Sequence, residues 1–309
     1  METICILIVS IVPIVSTLTR FFCLAFGVIF LLNFKMGLLM HESYFLDYED
    51  SRLHYTKSGD GAEILLTFHG FGQSHTAFDP IIAKLKDKYT IYSFDIYYHG
   101  KSHWFSSGKT LTKEIWKSII INLCQKHHIK SFSMLCFSMG GKFVLATTEM
   151  IPQRVAHLIM LAPDGIKTSM WYNLATYPIV FQNLFKSMIV RPQRFFSLLS
   201  FFRKLRLVDK GISKFAASQM NSVIKRRRVF YSWVVFKDFV FQMQQLAQII
   251  NKNDIQLTMV LGKHDKIITE KGMGKLLHKL NNHKIVTIES GHNDLIKKTS
   301  QQTDLLAEF

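Results

Sequence analysis

Strand-like and helix-like runs alternate along residues 63–162, and this rhythm constrains the fold more than any other feature of the sequence. The strand-like runs are short and largely apolar, as expected for strands buried on both faces of a parallel sheet. They cover residues 63–69, 89–95, 131–137 and 155–162, and helix-patterned runs at 78–87, 111–127 and 139–150 separate them. Parallel strands connected by helices predict an α/β fold with helices on both faces of the sheet.

Two further patterns frame this alternation. Residues 42–48 and 52–57 predict an antiparallel hairpin that opens the fold. Residues 166–251 show no strand alternation but carry aromatic and aliphatic side chains at helical spacing, whereas 255–262 and 283–290 return to the strand pattern. The simplest account is a mostly parallel central sheet flanked by helices, with a helical insertion between the sixth and seventh strands.

These boundaries predict an α/β core made of residues 41–165 and 252–300, with residues 166–251 as a separate helical part. An apolar content of 48% over 309 residues is ample for one large core. The same composition excludes a disordered chain, which would be poor in apolar residues.

The first 35 residues are almost uninterrupted apolar sequence and are not part of the predicted core. A membrane span needs about 20 apolar residues, so the segment is long enough for one crossing. It is interpreted as a membrane anchor, as an export signal, or as a spurious extension upstream of a start at Met36 or Met40. The signal is the weakest of the three because Glu2 precedes the apolar run without any Lys or Arg, and no small-x-small cleavage site follows.

Four cysteines, at positions 5, 23, 124 and 136, have no CxxC or metal-type spacing. We interpret them as reduced thiols, which favours a reducing compartment for the folded part. The expected location is therefore cytoplasmic or membrane-associated.

Ser138 follows one predicted strand and precedes a predicted helix, in the run Cys136-Phe137-Ser138-Met139-Gly140-Gly141. A serine on such a turn has a strained backbone that lifts its hydroxyl above the sheet, and small neighbours let the turn close. Cys136 stands where glycine is usual, and its side chain is compact. We predict Ser138 as a nucleophile and the amide of Met139 as a donor to an oxyanion.

A serine hydroxyl needs a base, and the base needs a group that orients it. His292 follows the last predicted strand on a loop that can reach back over the sheet, which singles it out from the other histidines. Asp265 comes directly after the strand 255–262, and the chain order Ser, Asp, His is one that such sites use. We predict His292 as the base and Asp265 as its orienting acid.

Two other carboxylates compete with Asp265. Asp164 also follows a predicted strand, but Pro163-Asp164-Gly165 is itself a turn signal that accounts for this residue without chemistry. Asp294 is too near His292 in sequence to brace the imidazole easily. Asp164 therefore ranks second and Asp294 third.

The run His69-Gly70-Phe71-Gly72 closes the first buried strand. Its glycines let the backbone bend toward the nucleophile, so we predict the amide of Phe71 as the second oxyanion donor. We expect His69 to pack the loop.

With these residues in place, the sequence resembles the α/β-hydrolase superfamily over about residues 42–300. The motifs that carry the resemblance are His69 to Gly72, Asp95 to Ser102, the Ser138 turn, Asp265 and Gly291-His292. It implies a helical lid formed by the insertion, a structural role for the loop from Asp95 to Ser102, and neither metal nor organic cofactor. Because this superfamily supports many reactions, the resemblance leaves the substrate open.

Hydrolysis of a carboxylic ester, EC 3.1.1, is the expected reaction. Hydrolysis of a thioester or of a carbon–carbon bond by the same three residues is the enzymatic alternative. A catalytically silent binding protein with the hydrolase fold is the alternative from another functional class.

Positive charge is concentrated in the insertion. The chain has 38 Lys and Arg against 22 Asp and Glu, and residues 166–251 hold 14 of these cations with only two acids, a net +12 of the total +16. The densest runs, 203–206 and 225–228, lie among aromatic residues. Such a surface suits anionic lipid or an anionic acyl substrate, or the aromatics pack the lid while the cations are solvated. No nucleic-acid partner is expected because no binding module is recognised.

Overall fold

A computed structural model describes residues 42–105, 108–167, 170–208 and 210–309. The N-terminal segment 1–35, and with it the prediction of an anchor, lies outside these residues, as do Cys5 and Cys23. Cys124 and Cys136 are buried free thiols.

A single sheet of eight strands crosses the described part of the chain. The strands are β1 (Glu42–Tyr48), β2 (Ser51–Ser58), β3 (Glu63–Phe68), β4 (Tyr89–Phe94), β5 (Phe132–Phe137), β6 (Val155–Leu161), β7 (Gln256–Gly262) and β8 (Lys284–Ile288). Their spatial order is β1-β2-β4-β3-β5-β6-β7-β8. The hairpin strands β1 and β2 are antiparallel to their neighbours, and all other pairs are parallel. The predicted α/β class is confirmed.

The helices of the described residues fall into two groups. The first group packs around the sheet and comprises α1 (Asp79–Leu85), α2 (Lys113–Lys126), α3 (Gly140–Met150), α9 (Met243–Lys252), α10 (Glu270–Leu277), α11 (Leu295–Ser300) and α12 (Thr303–Ala307). The second group lies between β6 and β7 in sequence and comprises α4 (Met170–Thr176), α5 (Ile179–Val190), α6 (Gln193–Lys204), α7 (Lys210–Gln219) and α8 (Val223–Val235). We call the second group the inserted helices.

The central strands of the sheet are buried on both faces. Every residue of β5 is buried, and so are the last four residues of β3. Leu246, Ala247 and Ile250 of α9 belong to the same core cluster, so this last helix before β7 packs with the sheet. Apolar side chains excluded from water on both faces are the main stabilising contribution to such a core.

The inserted helices have a small core of their own. Phe185, Met188 and Ile189 of α5 pack there with Val229 and Phe230 of α8. Each helix in the described part of the chain is too short or too polar to cross a lipid bilayer.

Candidate active site

Ser138 occupies the turn between β5 and α3 in a left-handed backbone conformation, with φ of +50°. This region is unfavourable for any residue with a side chain, so the surroundings must hold it. The amide of Ser138 donates to the carbonyl of Leu161, and its own carbonyl accepts from the amides of Gly141 and Asp164, both at 2.8 Å. The ends of β5 and β6 together fix this turn.

Glycine is required where α3 begins because the helix passes close to neighbouring backbone. A Cβ at Gly140 would lie 2.0 Å from the carbonyl oxygen of Phe68, and one at Gly141 would lie 2.5 Å from that of Asp164. Cys136, which stands in the place of another usual glycine, is fully buried in β5. Burial raises the pKa of its thiol well above the ordinary value, which keeps it protonated.

His292 lies in the loop after β8 and joins Ser138 to Asp265. Its Nε2 is 3.0 Å from Oγ of Ser138, and its Nδ1 is 2.6 Å from Oδ2 of Asp265. The other oxygen of Asp265 accepts from the amides of Ile267 and Ile268 at 2.8 and 2.9 Å, which fixes the carboxylate. A hydroxyl hydrogen-bonded to an imidazole that a carboxylate orients is an arrangement that activates the hydroxyl as a nucleophile.

The competing acid Asp164 has other contacts. Its Oδ1 accepts from the amide of Gly165 at 2.7 Å, and its Oδ2 lies 3.9 Å from Nζ of Lys142. Asp294 is the N-cap residue of α11. Among the hydrogen bonds of the described residues, only Asp265 reaches the ring of His292 as a carboxylate, so the geometry favours it.

The two predicted oxyanion donors follow neighbouring strands, because β3 pairs with β5 in the sheet. Met139 is the N-cap residue of α3, and its amide donates no hydrogen bond within the described residues. The amide of Phe71, in the loop after β3, is likewise unpaired there. A Cβ at Gly70 would lie 2.6 Å from the ring of Phe137, so glycine lets this loop approach β5. Two open amides beside a serine suit a developing oxyanion.

Two buried imidazoles lie at residues 69–72 and 95–102; because the first of these loops carries the predicted donor Phe71, we call residues 69–72 the oxyanion loop. His69 donates from Nδ1 to the carbonyl of Gly70 at 2.7 Å and accepts at Nε2 from the amide of Ile96 at 3.0 Å. Burial lowers the pKa of His69 to about 4 and lowers the pKa of His99 well below its ordinary value. Both imidazoles are therefore neutral at pH 7, and His69 packs the loop as its position predicts.

Asp95 anchors the loop that leads to Ser102. Its carboxylate accepts from Nδ1 of His54 at 2.7 Å, from the amide and Nδ1 of His75, and from the amide of Lys101. Burial alone would raise the pKa of Asp95, but these hydrogen bonds outweigh it and hold its pKa far below the ordinary value. The ligand atoms of His54, His75 and Asp95 lie within 4.8 Å of one another, close enough for a metal ion. Four protein donors already fill the acceptor positions of the carboxylate, so we assign it a structural role.

A family model described as "Serine aminopeptidase, S33" matches residues 60–293, which is most of the chain and includes every residue of this site. The chain belongs to the serine aminopeptidase family. This family is part of the α/β-hydrolase superfamily, so the resemblance drawn from the motifs is confirmed.

Relatives of this family member include esterases. A pimeloyl-[acyl-carrier protein] methyl ester esterase from Legionella pneumophila is 31% identical over 151 residues, which are 47% of this chain and 58% of that protein. The curated relatives are matched over 32% to 58% of their own length.

Solved structures with the same fold are more distant in sequence. A thermophilic esterase from Thermogutta terrifontis has a TM-score of 0.62 at 17% identity, covering 87% of this chain and 97% of the esterase. A bacterial membrane phospholipase A has a TM-score of 0.60 at 15% identity, covering 96% and 98% of the two chains. These similarities establish the α/β-hydrolase fold.

The sequence did not single out two further cations near this site. Lys142 on α3 is buried, and its Nζ lies 3.9 Å from the centroid of the Tyr172 ring on α4. Burial lowers the pKa of Lys142, while nearby Asp164 opposes that shift. Arg228 on α8 lies within the run 225–228, which the sequence marks only as dense in charge. Arg228 is half-buried, whereas Arg227 beside it is exposed.

Proposed function

We propose that this protein is a serine hydrolase that cleaves carboxylic esters. Ser138 attacks the acyl carbonyl, His292 takes the hydroxyl proton, and Asp265 orients the imidazole and stabilises its protonated form. The observation that carries the proposal is the continuous hydrogen-bonded path from Oγ of Ser138 through His292 to the carboxylate of Asp265.

The reaction then proceeds in two halves. Attack gives a tetrahedral intermediate whose oxyanion accepts from the amides of Phe71 and Met139, and His292 returns the proton to the departing alcohol. Water next attacks the acyl-Ser138 ester while His292 takes one of its protons, which gives a second tetrahedral intermediate. As this intermediate collapses, the carboxylic acid leaves and His292 returns the proton to Oγ of Ser138. The ester and one water molecule are the only reactants that the two halves consume, and the proton taken by His292 is returned in each half.

The methyl ester esterase that is 31% identical to this chain supports an ester as the substrate. The same three residues would serve a thioester or a carbon–carbon bond as well, because the nucleophile and the oxyanion donors act on the carbonyl in each case. The alternative of a silent binding protein requires that Ser138 be unreactive although its hydroxyl faces His292.

A fluorophosphonate probe tests the proposal on the full chain. We expect the wild type to be labelled at Ser138 and the Ser138→Ala variant to remain unlabelled. Folded wild type that does not react with the probe would contradict the hydrolase assignment and favour the binding protein. Hydrolysis rates on p-nitrophenyl esters and on acyl-thioesters of matched chain length would then separate the two acyl substrates.

We further propose that the inserted helices form a lid that docks on anionic lipid. Of the 18 large apolar side chains exposed in the described residues, 15 belong to residues 177–240, including Val190 at 81% and Ile224 at 73% exposure. Exposed cations such as Lys186 and Arg191 lie close to Val190 in sequence. Asp238 is the only acid of the insertion that the structure describes. Apolar side chains interspersed with cations are typical of surfaces that bind the headgroup region of a membrane.

Vesicle sedimentation measures this docking. We expect the full chain to bind vesicles of phosphatidylcholine and phosphatidylserine, with affinity falling as salt rises, and to bind pure phosphatidylcholine weakly. The double variant Val190→Ser/Ile224→Ser should bind about tenfold more weakly, since it removes two exposed apolar side chains. Ile285→Ser, at an exposed position of β8 outside the inserted helices, is the matched control. Equal binding by all three proteins would contradict lipid docking by the inserted helices.

A further inference from the structure

Three consecutive arginines on α8 have three different environments. Arg226 is buried, and its guanidinium donates to the carbonyls of Ile189 at 2.8 Å and Met220 at 3.0 Å. Arg227 is exposed to solvent. Arg228 is half-buried, and its Nε is shielded from solvent with no hydrogen-bond partner among the described residues. An enclosed guanidinium donor without an acceptor is unfavourable, so this position is suited to an acceptor that comes from outside the chain.

Arg228 belongs to a helix that packs against the oxyanion loop. The residues that follow it on α8, Val229 and Phe230, belong to the apolar cluster of the inserted helices, and Phe71 packs against this cluster. Tyr231 stacks on Tyr98 of the Asp95 loop, with ring centroids 5.4 Å apart. α8 is thereby held over the loop that carries a predicted oxyanion donor.

The charge of Arg228 is felt within that loop. It contributes to lowering the pKa of His69 and of His99, after the larger effect of burial. This contribution agrees with the contacts of α8, which bring Phe230 into the cluster that Phe71 joins and Tyr231 onto Tyr98. A cation at this place would attract an anion that enters beside Phe71.

A second polar atom near Phe71, Nε2 of His99, also lacks a hydrogen-bond partner among the described residues. His99 is 1% exposed, and its ring contacts the ring of Phe71 edge-on at 5.3 Å. Its Nδ1 pairs with the carbonyl of Tyr97 at 3.1 Å, whereas its Nε2 is enclosed without a partner in the described part of the chain. In the neutral ring Nδ1 carries the hydrogen, so Nε2 can accept from a hydroxyl, an amide or a water.

We propose that Arg228 binds an anionic group of the acyl substrate while the ester carbonyl is held at Ser138. The substrate class is then an ester that carries a carboxylate or phosphate, and the open Nε2 of His99 accepts from a donor of the same ligand or from water. Charge-assisted hydrogen bonds to a guanidinium are among the strongest that a protein makes to such groups. The proposal rests on the hydrolase function proposed above and assigns its specificity.

Matched p-nitrophenyl esters test it on the full chain. The hemiglutarate ester is anionic, and the pentanoate ester is its neutral counterpart with the same acyl chain length. For Arg228→Met we expect kcat/KM on the hemiglutarate to fall about tenfold to a hundredfold, and kcat/KM on the pentanoate to change less than about threefold. Arg228→Lys should keep part of the preference. Arg227→Met, which removes a neighbouring solvated cation, should behave as wild type on both esters.

The outcomes separate the two proposals. Equal effects of Arg228→Met on both esters, in folded protein, would overturn the role of Arg228 and leave the hydrolase assignment intact. Absence of hydrolysis and of fluorophosphonate labelling in the wild type would instead overturn the hydrolase assignment, and with it this inference.

A 1-acylglycerol 3-phosphate distinguishes the source of the anion. A larger loss on this lipid than on the hemiglutarate would assign the site to phosphate, and the reverse would assign it to carboxylate.

Discussion

The sheet with the helices packed around it, which we call the sheet domain, differs from the inserted helices in how its polar groups are hydrogen-bonded and its apolar groups are buried. In the sheet domain, Ser138, Asp265 and Asp95 each make several hydrogen bonds with backbone groups. In the inserted helices, α6 has no buried residue. The Nε of Arg228 is shielded from solvent but has no hydrogen-bond partner among the described residues. Most of the exposed large apolar side chains belong to this second region as well.

This contrast suits two different roles, reaction at the strand ends and recognition by the inserted helices. Reacting groups must keep their geometry to within fractions of an ångström, and the ends of parallel strands provide that rigidity. Groups that recognise a substrate or a surface must stay open until the partner arrives, and loosely packed helices permit this. We therefore expect substitutions at the strand ends to act on turnover, and substitutions on α8 to act on the choice of substrate.

The largest effect that tests this division comes from the two competing carboxylates. Asp265→Asn keeps the size of the side chain but removes the charge that orients His292, so kcat/KM should fall about 10³- to 10⁴-fold. Asp164→Asn should change it by less than about fivefold, because Asp164 contacts Lys142 and not the imidazole. Both variants are compared by the rate of p-nitrophenyl ester hydrolysis.

Stability measurements provide the control for this pair. Each variant should unfold cooperatively in urea, so that a loss of rate reflects the site and not the fraction folded. If Asp164→Asn abolished turnover and Asp265→Asn did not, the acid would have to be reassigned to the end of β6.

Most of the sheet could be predicted because its signals are local. Short apolar runs bounded by turns mark β3 to β6, and each of these strands begins and ends within one residue of its predicted bounds. The turn at Ser138 is equally local, since a serine set between strand and helix, just before a pair of glycines, is typical of a nucleophile turn. Chain order and hydrogen bonding agree in favouring Asp265, although its role stays a prediction.

The environment of Arg228 could not be predicted because it depends on tertiary contacts. Sequence marks residues 225–228 only as a run of like charges. Helical spacing places Arg226 on the same face as Val229 and Phe230, which is a signal for its burial. Nothing in that spacing indicates that α8 packs against Tyr98 and Phe71, because the loops carrying these residues are far away in sequence.

A smaller effect contrasts the two regions by their response to pH. The imidazole of His69 is buried in the sheet domain with a pKa of about 4, whereas the unfolded chain protonates it near 6.5. Between these values the unfolded state binds more protons, so the free energy of unfolding falls as pH falls from about 6.5 toward 4. Full protonation would cost roughly 3 kcal/mol for His69, and His99 adds in the same direction. The inserted helices contain no histidine, so they should contribute little to this slope.

Urea unfolding of the full chain at pH 5, 6 and 7 measures this slope. In His69→Gln the amide retains the polar character of the site but does not titrate, so stability should depend less on pH than in the wild type. His264→Gln replaces an exposed imidazole that pairs with Glu289 at 2.9 Å and should leave most of the slope unchanged. An unaltered slope in His69→Gln would mean that His69 is not the buried neutral group that supports the oxyanion loop. The two regions would then not differ in how their stability depends on pH through this residue.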